Sequence, residues 1–434
     1  MRRHLAITVI LILLPAVRSL AAEPAPKLEV KPDRPDAMYH VGEKVTFSIL
    51  LRDGNSPLEG KELTYKLSKD GFTPLASGTI TSAAGVVTVK QSLDEPGVIH
   101  CDVTYAAPTT RPVIATAGAA FDPEKIKASL PPPDDFDAFW EKERRRLADE
   151  PAHPVLTPVE SHDANVDAFD VQINCPGGAP ESAYLAIPKG AKPKSLGAIL
   201  YPHSAGVRSS DLPHAVRGAK LGLMALDINA HGIVNGKPDK FYLDLYNNEL
   251  RGYSARGADD LEKVYFKGMF LRLLRALDYL TDRPEWDGKV LIVEGSSQGG
   301  GQALVAAGLD HRVTLCLAAV PALCDHTGFI ANRASGWPRI VPKDAGGKYN
   351  EKVTQVARCI DAMNFAMRIQ CPTWVTVGLI DKTCAATSVY AGYNAIPAGV
   401  EKHILPQPAM GHAFPADLIA KYDDIIRQHL AQKR

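Results

Sequence analysis

The chain has 434 residues, and its 49 Lys and Arg are balanced by 49 Asp and Glu. A neutral chain lacks the basic surface that draws nucleic acid or anionic membrane, so those partners are excluded as the main ones. Apolar residues make up 45% and charged residues 23%, a globular balance, and the length exceeds one ordinary domain.

Residues 1–22 have the pattern of a signal peptide. Arg2 and Arg3 are followed by an apolar run from Leu5 to Val17, then Ser19-Leu20-Ala21-Ala22 at a cleavage site next to Ala22. The run is short for an uncleaved membrane anchor, because a span needs about 20 apolar residues. The mature protein is therefore expected to be secreted or periplasmic, with no membrane contact after cleavage.

Residues 23–122 read as all-β. Val45, Phe47, Ile49 and Leu51 alternate with polar residues, as do Leu63, Tyr65 and Leu67, and Ile99, Cys101, Val103 and Tyr105. Asp53-Gly54-Asn55, Asp70-Gly71 and Glu95-Pro96-Gly97 supply turns. Strands about every 10 residues suggest a small immunoglobulin-like sandwich. It holds no Trp to form a sugar platform, which favours a spacer or wall over a glycan-binding module.

Residues 123–164 read as a linker and a charged helix. Pro131-Pro132-Pro133 marks the boundary, and Asp134 or Asp135 is placed to cap a helix through Phe136, Phe139, Trp140 and Leu147. From 165 to 434 the pattern becomes strands alternating with helices. Leu196–Tyr201, Leu223–Ile228, Val290–Val293 and Trp374–Val377 are continuous apolar runs. Such runs imply a mostly parallel sheet covered on both faces. A helix is expected over 265–280. Seven scattered Cys, without a CxxC or HExxH, indicate buried thiols rather than a metal site, with one or two disulfides left open.

The chemistry lies in Val290-Leu291-Ile292-Val293-Glu294-Gly295-Ser296-Ser297-Gln298-Gly299, a strand running into G-x-S-x-G. In an α/β-hydrolase fold this motif is a strained turn that lifts the serine hydroxyl above the sheet. The glycines let the turn pass close to its neighbours. A serine at its free pKa needs a base, and the base needs an orienting acid; in this fold the chain order is Ser, acid, His. Asp381 follows the strand 374–377, and His412 follows a short strand at Ile404-Leu405. The expected catalytic residues are thus Ser297, Asp381 and His412. His403, His429 and Asp361 are weaker rivals, the last read as a surface residue. The oxyanion hole is expected from the backbone N–H of Gln298 and that of Ser204, in the loop Tyr201-Pro202-His203-Ser204-Ala205-Gly206.

Three stretches resemble the acetyl xylan esterase / cephalosporin C deacetylase family. Gly295-Ser296-Ser297-Gln298-Gly299-Gly300-Gly301 is similar to its G-G-S-Q-G-G-G elbow, and Pro321-Ala322-Leu323-Cys324-Asp325 to its P-F-L-C-D. Asn364-Phe365-Ala366, Val377-Gly378-Leu379-Ile380-Asp381 and Ala391-Gly392-Tyr393-Asn394 resemble its N-F-A, V-G-L-x-D and A-A-Y-N. The resemblance covers roughly 134–430 and implies the same triad. It implies an acetyl-sized acyl pocket, O-acetylated xylo-oligosaccharide or small-ester substrates, and no metal or organic cofactor. A homo-oligomer stays open. There are departures: Asn229-Ala230-His231 stands for the family's Arg-Gly-Gln, Ser204 for a Tyr, and Ala413 for a Glu. His231 is expected either to touch the sugar or to brace its loop. The alternatives are a prolyl-oligopeptidase-like peptidase, for which the β region is too short to be a propeller, and an inactive glycan-binding homologue.

Overall fold

The computed structural model describes residues 26–106 and 111–433. The signal-peptide expectation, at 1–22, lies outside them. Among the described residues, no helix is long and apolar enough to cross a membrane.

The N-terminal region is β-rich and forms two sheets. Strands Lys27–Pro32, Val45–Asp53, Ser56–Pro57 and Val87–Gln91 make one. The second runs in the order Met38–Tyr39, Val113–Phe121, Gly97–Tyr105, Glu62–Lys69, Thr73–Thr81. Alternation does the folding work. Val45, Phe47, Ile49 and Leu51 of the first sheet are buried with Leu63, Leu67, Ile99, Cys101 and Val103 of the second in one core. Each such side chain contributes about 1.5–3 kcal/mol on burial.

The larger region is built on nine strands. Their order is Val155–Val159, Val166–Ile173, Glu181–Pro188, Met224–Ile228, Leu196–Pro202, Trp286–Ser296, Leu315–Ala319, Thr373–Gly378, Lys402–Gln407. The first three pairings are antiparallel and the remaining five parallel, so the sheet is mixed. The continuous apolar runs have the two-sided burial expected of them. Ala198 and Leu200 join the core beneath helices Tyr265–Asp282 and Gln298–Leu309. Their neighbours Ile199 and Tyr201 face Tyr422 and Ile426 of helix Ala416–Lys433 on the other side.

Two readings are corrected. Residues 123–164 are more than a linker: Val155–Val159 is the edge strand of the large sheet, paired with Val166–Ile173. Phe136 and Trp140 of helix Phe136–Asp149 are 1% exposed within the large core, so the helix is part of that domain. Asp135 sits at the N-cap without a side-chain capping bond. Asp361 is also no surface residue. It is 1% exposed and accepts N–H bonds from Asp325, His326 and Met363. Burial, then the neighbouring Asp325, pushes its carboxyl up to about 8. All seven Cys are free and buried, so no disulfide forms.

Candidate active site

The strand Trp286–Ser296 ends where helix Gln298–Leu309 begins, and Ser297 is the joint. Its φ of 58° and ψ of −122° put a non-glycine residue in a sparsely populated conformation. The surroundings over-determine it. Ser297 N–H donates to Ala319 O at 2.9 Å, and its carbonyl accepts from Ala322 N–H at 2.9 Å. A Cβ on Gly295 would lie 2.2 Å from Gly299 O, and one on Gly299 would lie 2.2 Å from Pro202 O. Only glycine allows these approaches.

The parallel strands deliver the other residues to the same sheet edge. Asp381 follows Thr373–Gly378, and His412 follows Lys402–Gln407. His412 Nε2 lies 2.8 Å from Ser297 Oγ, and Nδ1 lies 2.7 Å from Asp381 Oδ2. The other Asp381 oxygen accepts the N–H groups of Thr383, at 2.7 Å, and Cys384, at 2.9 Å. Asp381 is fully buried, whereas the His412 side chain is 28% exposed. Burial and its N–H donors fix the Asp381 carboxylate, and the partly exposed His412 ring is open to solvent.

Gln298 is the first residue of its helix, and the first four N–H groups of a helix have no intrahelical acceptor. Its side-chain Oε1 accepts from Tyr253 OH at 2.7 Å. Ser204 Oγ donates to Ser296 O at 2.9 Å, which pins its loop beside the elbow. A cavity of about 390 Å³ opens here, lined by Ser204, Ala205, Ser296, Ser297, Val320, Trp337, Thr383, His412, Ala413 and Phe414. A larger one of about 610 Å³, lined by residues including Ser161, Arg217 and Asp423, does not contain Ser297. Chemistry rather than volume selects the smaller.

His231 does not line that cavity. It is 4% exposed, with Nδ1 2.8 Å from Tyr265 OH and Nε2 3.1 Å from Gly206 O. Asn229 accepts the His231 N–H and donates to Arg208 O. This pair ties the 206–208 loop to the strand end. His403 stacks on Trp374, and His429 contacts Thr314, so neither reaches Ser297. Trp337, Phe414 and Thr383 were not anticipated as lining. A Trp in a long irregular stretch beyond a strand's carboxyl end was the available signal for one of them.

Among the described residues, one group of potential metal ligands gathers: Asp381, Cys384 and His412, with ligand atoms within 4.8 Å of one another. Two of its members, His412 and Asp381, are those hydrogen-bonded in line with Ser297. Burial, then the charge of Asp381, holds the Cys384 thiol well above its ordinary value.

Burial also lowers several imidazoles: His203 to about 3, and His231, His100 and His326 to about 4. Each is neutral when folded and protonates near 6.5 when unfolded. The unfolded state therefore binds more protons below that value, and stability is lost as pH falls from about 6.5 toward 4. Asp361, with its carboxyl raised to about 8, gains stability over the same interval, so the histidine contribution is read by difference: the change in Tm from pH 7 to pH 4 is expected to be less unfavourable in His326→Gln than in wild type. An equal change in the variant would remove His326 from this account.

The mixed sheet and the serine elbow are those of an α/β-hydrolase-type esterase. A family model for acetyl xylan esterase (AXE1) matches residues 124–422. The acetyl esterase Axe7A of Xylanibacter ruminicola is 30% identical over 383 residues, 86% of this chain and 84% of that one. The structure of an acetyl xylan esterase from Paenibacillus sp. R4 superposes with a TM-score of 0.60 at 27% identity, over 71% of this chain and 98% of that one. Acetyl xylan esterase 1 from Thermoanaerobacterium sp. JW/SL YS485 shares the fold, with a TM-score of 0.58 at 22% identity, over 71% and 97%. The chain belongs to the acetyl xylan esterase family and is a carboxylic ester hydrolase.

Proposed function

We propose that the protein is an exported serine esterase that removes acetyl groups from O-acetylated xylo-oligosaccharides or related plant sugars. The observation that carries this is one imidazole, His412, within hydrogen-bond distance of both Ser297 Oγ and Asp381 Oδ2. Ser297 Oγ attacks the acetyl carbonyl carbon as His412 Nε2 takes its proton. The Gln298 and Ser204 N–H groups hold the developing oxyanion. Asp381 keeps the Nδ1–H tautomer and stabilises the imidazolium. The intermediate collapses, the bond to the sugar oxygen breaks, and His412 returns the proton to that oxygen. Water then attacks the acetyl-enzyme carbonyl carbon as His412 Nε2 takes its proton; the bond to Ser297 Oγ breaks, His412 returns the proton to Oγ, and acetic acid leaves and ionises to acetate.

The substrate class is carried over from the relatives' names. The cavity of about 390 Å³ suits an acetyl group with part of a sugar. The apolar run Leu5–Val17 supports export. The two-sheet N-terminal region is read as an immunoglobulin-like sandwich, on the strength of its shared core.

Acetate release from acetylated xylo-oligosaccharides and 4-nitrophenyl acetate tests this, with Ser297→Ala as control. Release that disappears in the control is the expected result. Release that persists in Ser297→Ala would remove the serine mechanism. No release from a folded protein would remove the deacetylase reading.

A further inference from the structure

The stretch from Leu379 to Thr387 carries Asp381 and is gripped from two sides. From the large domain, the carbonyls of Gln407 and Met410 accept the N–H groups of Leu379 and Ile380 at 3.0 and 3.2 Å. From the other side come contacts made by the N-terminal β region. Lys382 Nζ donates to both Asp102 oxygens, at 2.9 and 2.8 Å, and Thr116 Oγ1 fixes that carboxylate at 2.6 Å. Thr387 Oγ1 donates to Asp70 Oδ2 at 2.6 Å, with both residues 1% exposed. Gly118 backs onto Leu379, where a Cβ would lie 2.7 Å from the carbonyl oxygen. Arg339, which donates to Lys382 O at 2.8 Å, has its guanidinium covered by the Phe72 ring at 4.4 Å.

These contacts fall on the residues that aim Asp381. Its carboxylate takes its orientation from the Thr383 and Cys384 N–H groups, one and two residues beyond Lys382. A half-exposed ion pair such as Lys382–Asp102 adds little to global stability. Catalytic groups, however, tolerate displacement of only about 0.5 Å, and 1 Å can cost about 100-fold in rate.

We propose that the N-terminal β region is a positioning element of the active site. Asp102 acts through Lys382, and Asp70 through Thr387, to hold the loop that aims Asp381 at His412. This rests on Asp381 being the orienting acid.

The test is a mutant cycle in the full-length protein, read with 4-nitrophenyl acetate. Asp102→Ala and Lys382→Met are each made in the wild-type and Asp381→Asn backgrounds. Each is expected to lower kcat by about tenfold with KM within about twofold. In Asp381→Asn, neither should cost anything further, because the group they position is already disabled. An unchanged kcat in both single variants overturns the proposal. So does an equal loss in both backgrounds, which is what a general structural role would give. If Asp381→Asn itself keeps full kcat, the acid assignment fails first, and the two failures are told apart by that reference.

Discussion

His412→Ala is expected to lower kcat for 4-nitrophenyl acetate by about 10⁴- to 10⁶-fold, with KM little changed. The loss is this large because, in the proposed mechanism, the base is His412, whose Nε2 lies 2.8 Å from Ser297 Oγ; the Cys384 thiol, which also bonds Ser297, is kept protonated by burial and cannot replace it. In the proposed mechanism, what remains is the contribution of the oxyanion donors and binding, which act without the imidazole. The side chain is 28% exposed and sits at the cavity, so its removal leaves the core intact. Circular dichroism should match wild type. His403→Ala is the control, since that ring stacks on Trp374 and bonds Glu401. A His412→Ala enzyme within 100-fold of wild type would show that another group takes the proton.

The second large effect is on stability. Trp140→Ala is expected to cost about 3–5 kcal/mol, the range for deleting a large buried aromatic. Trp140 is 1% exposed and packs against Phe139, Phe270 and Phe365, with ring centroids 5.3, 5.8 and 5.2 Å away. Its Nε1–H donates to Cys359 O at 3.0 Å, so truncation also strands a buried carbonyl. Denaturant unfolding measures this directly. A cost under 1 kcal/mol would mean the helix Phe136–Asp149 is peripheral after all.

That helix shows how far a local pattern reaches. Pro131-Pro132-Pro133 reads as a boundary because proline stiffens the chain. Yet no local feature tells whether the charged helix after it floats or docks. Its large aromatics are the clue, and the partners they need, Phe270 and Phe365, lie more than 100 residues away. The short strand Leu315–Ala319 is a similar case: five small and apolar residues carry no periodicity that separates strand from helix. Asp361 was read as exposed because isolated carboxylates usually are. Only the fold supplies the three N–H donors that make its burial tolerable.

The sequence alone determined the elements whose cause is local. Alternation set the N-terminal strands, continuous apolar runs set the two-faced strands of the large sheet, and glycine spacing set the elbow at Ser297. It also placed Asp381 and His412 after successive strands, and parallel strands bring their carboxyl ends to one edge. The tertiary structure decided what depends on residues distant in the chain. It seats His231 as a brace between Tyr265 and Gly206 and surrounds the serine with Trp337, Thr383 and Phe414. It sets the N-terminal sheets against the Asp381 loop through Asp102 and Lys382, 280 positions apart. Such contacts depend on how two domains dock, and no periodicity within either one encodes that.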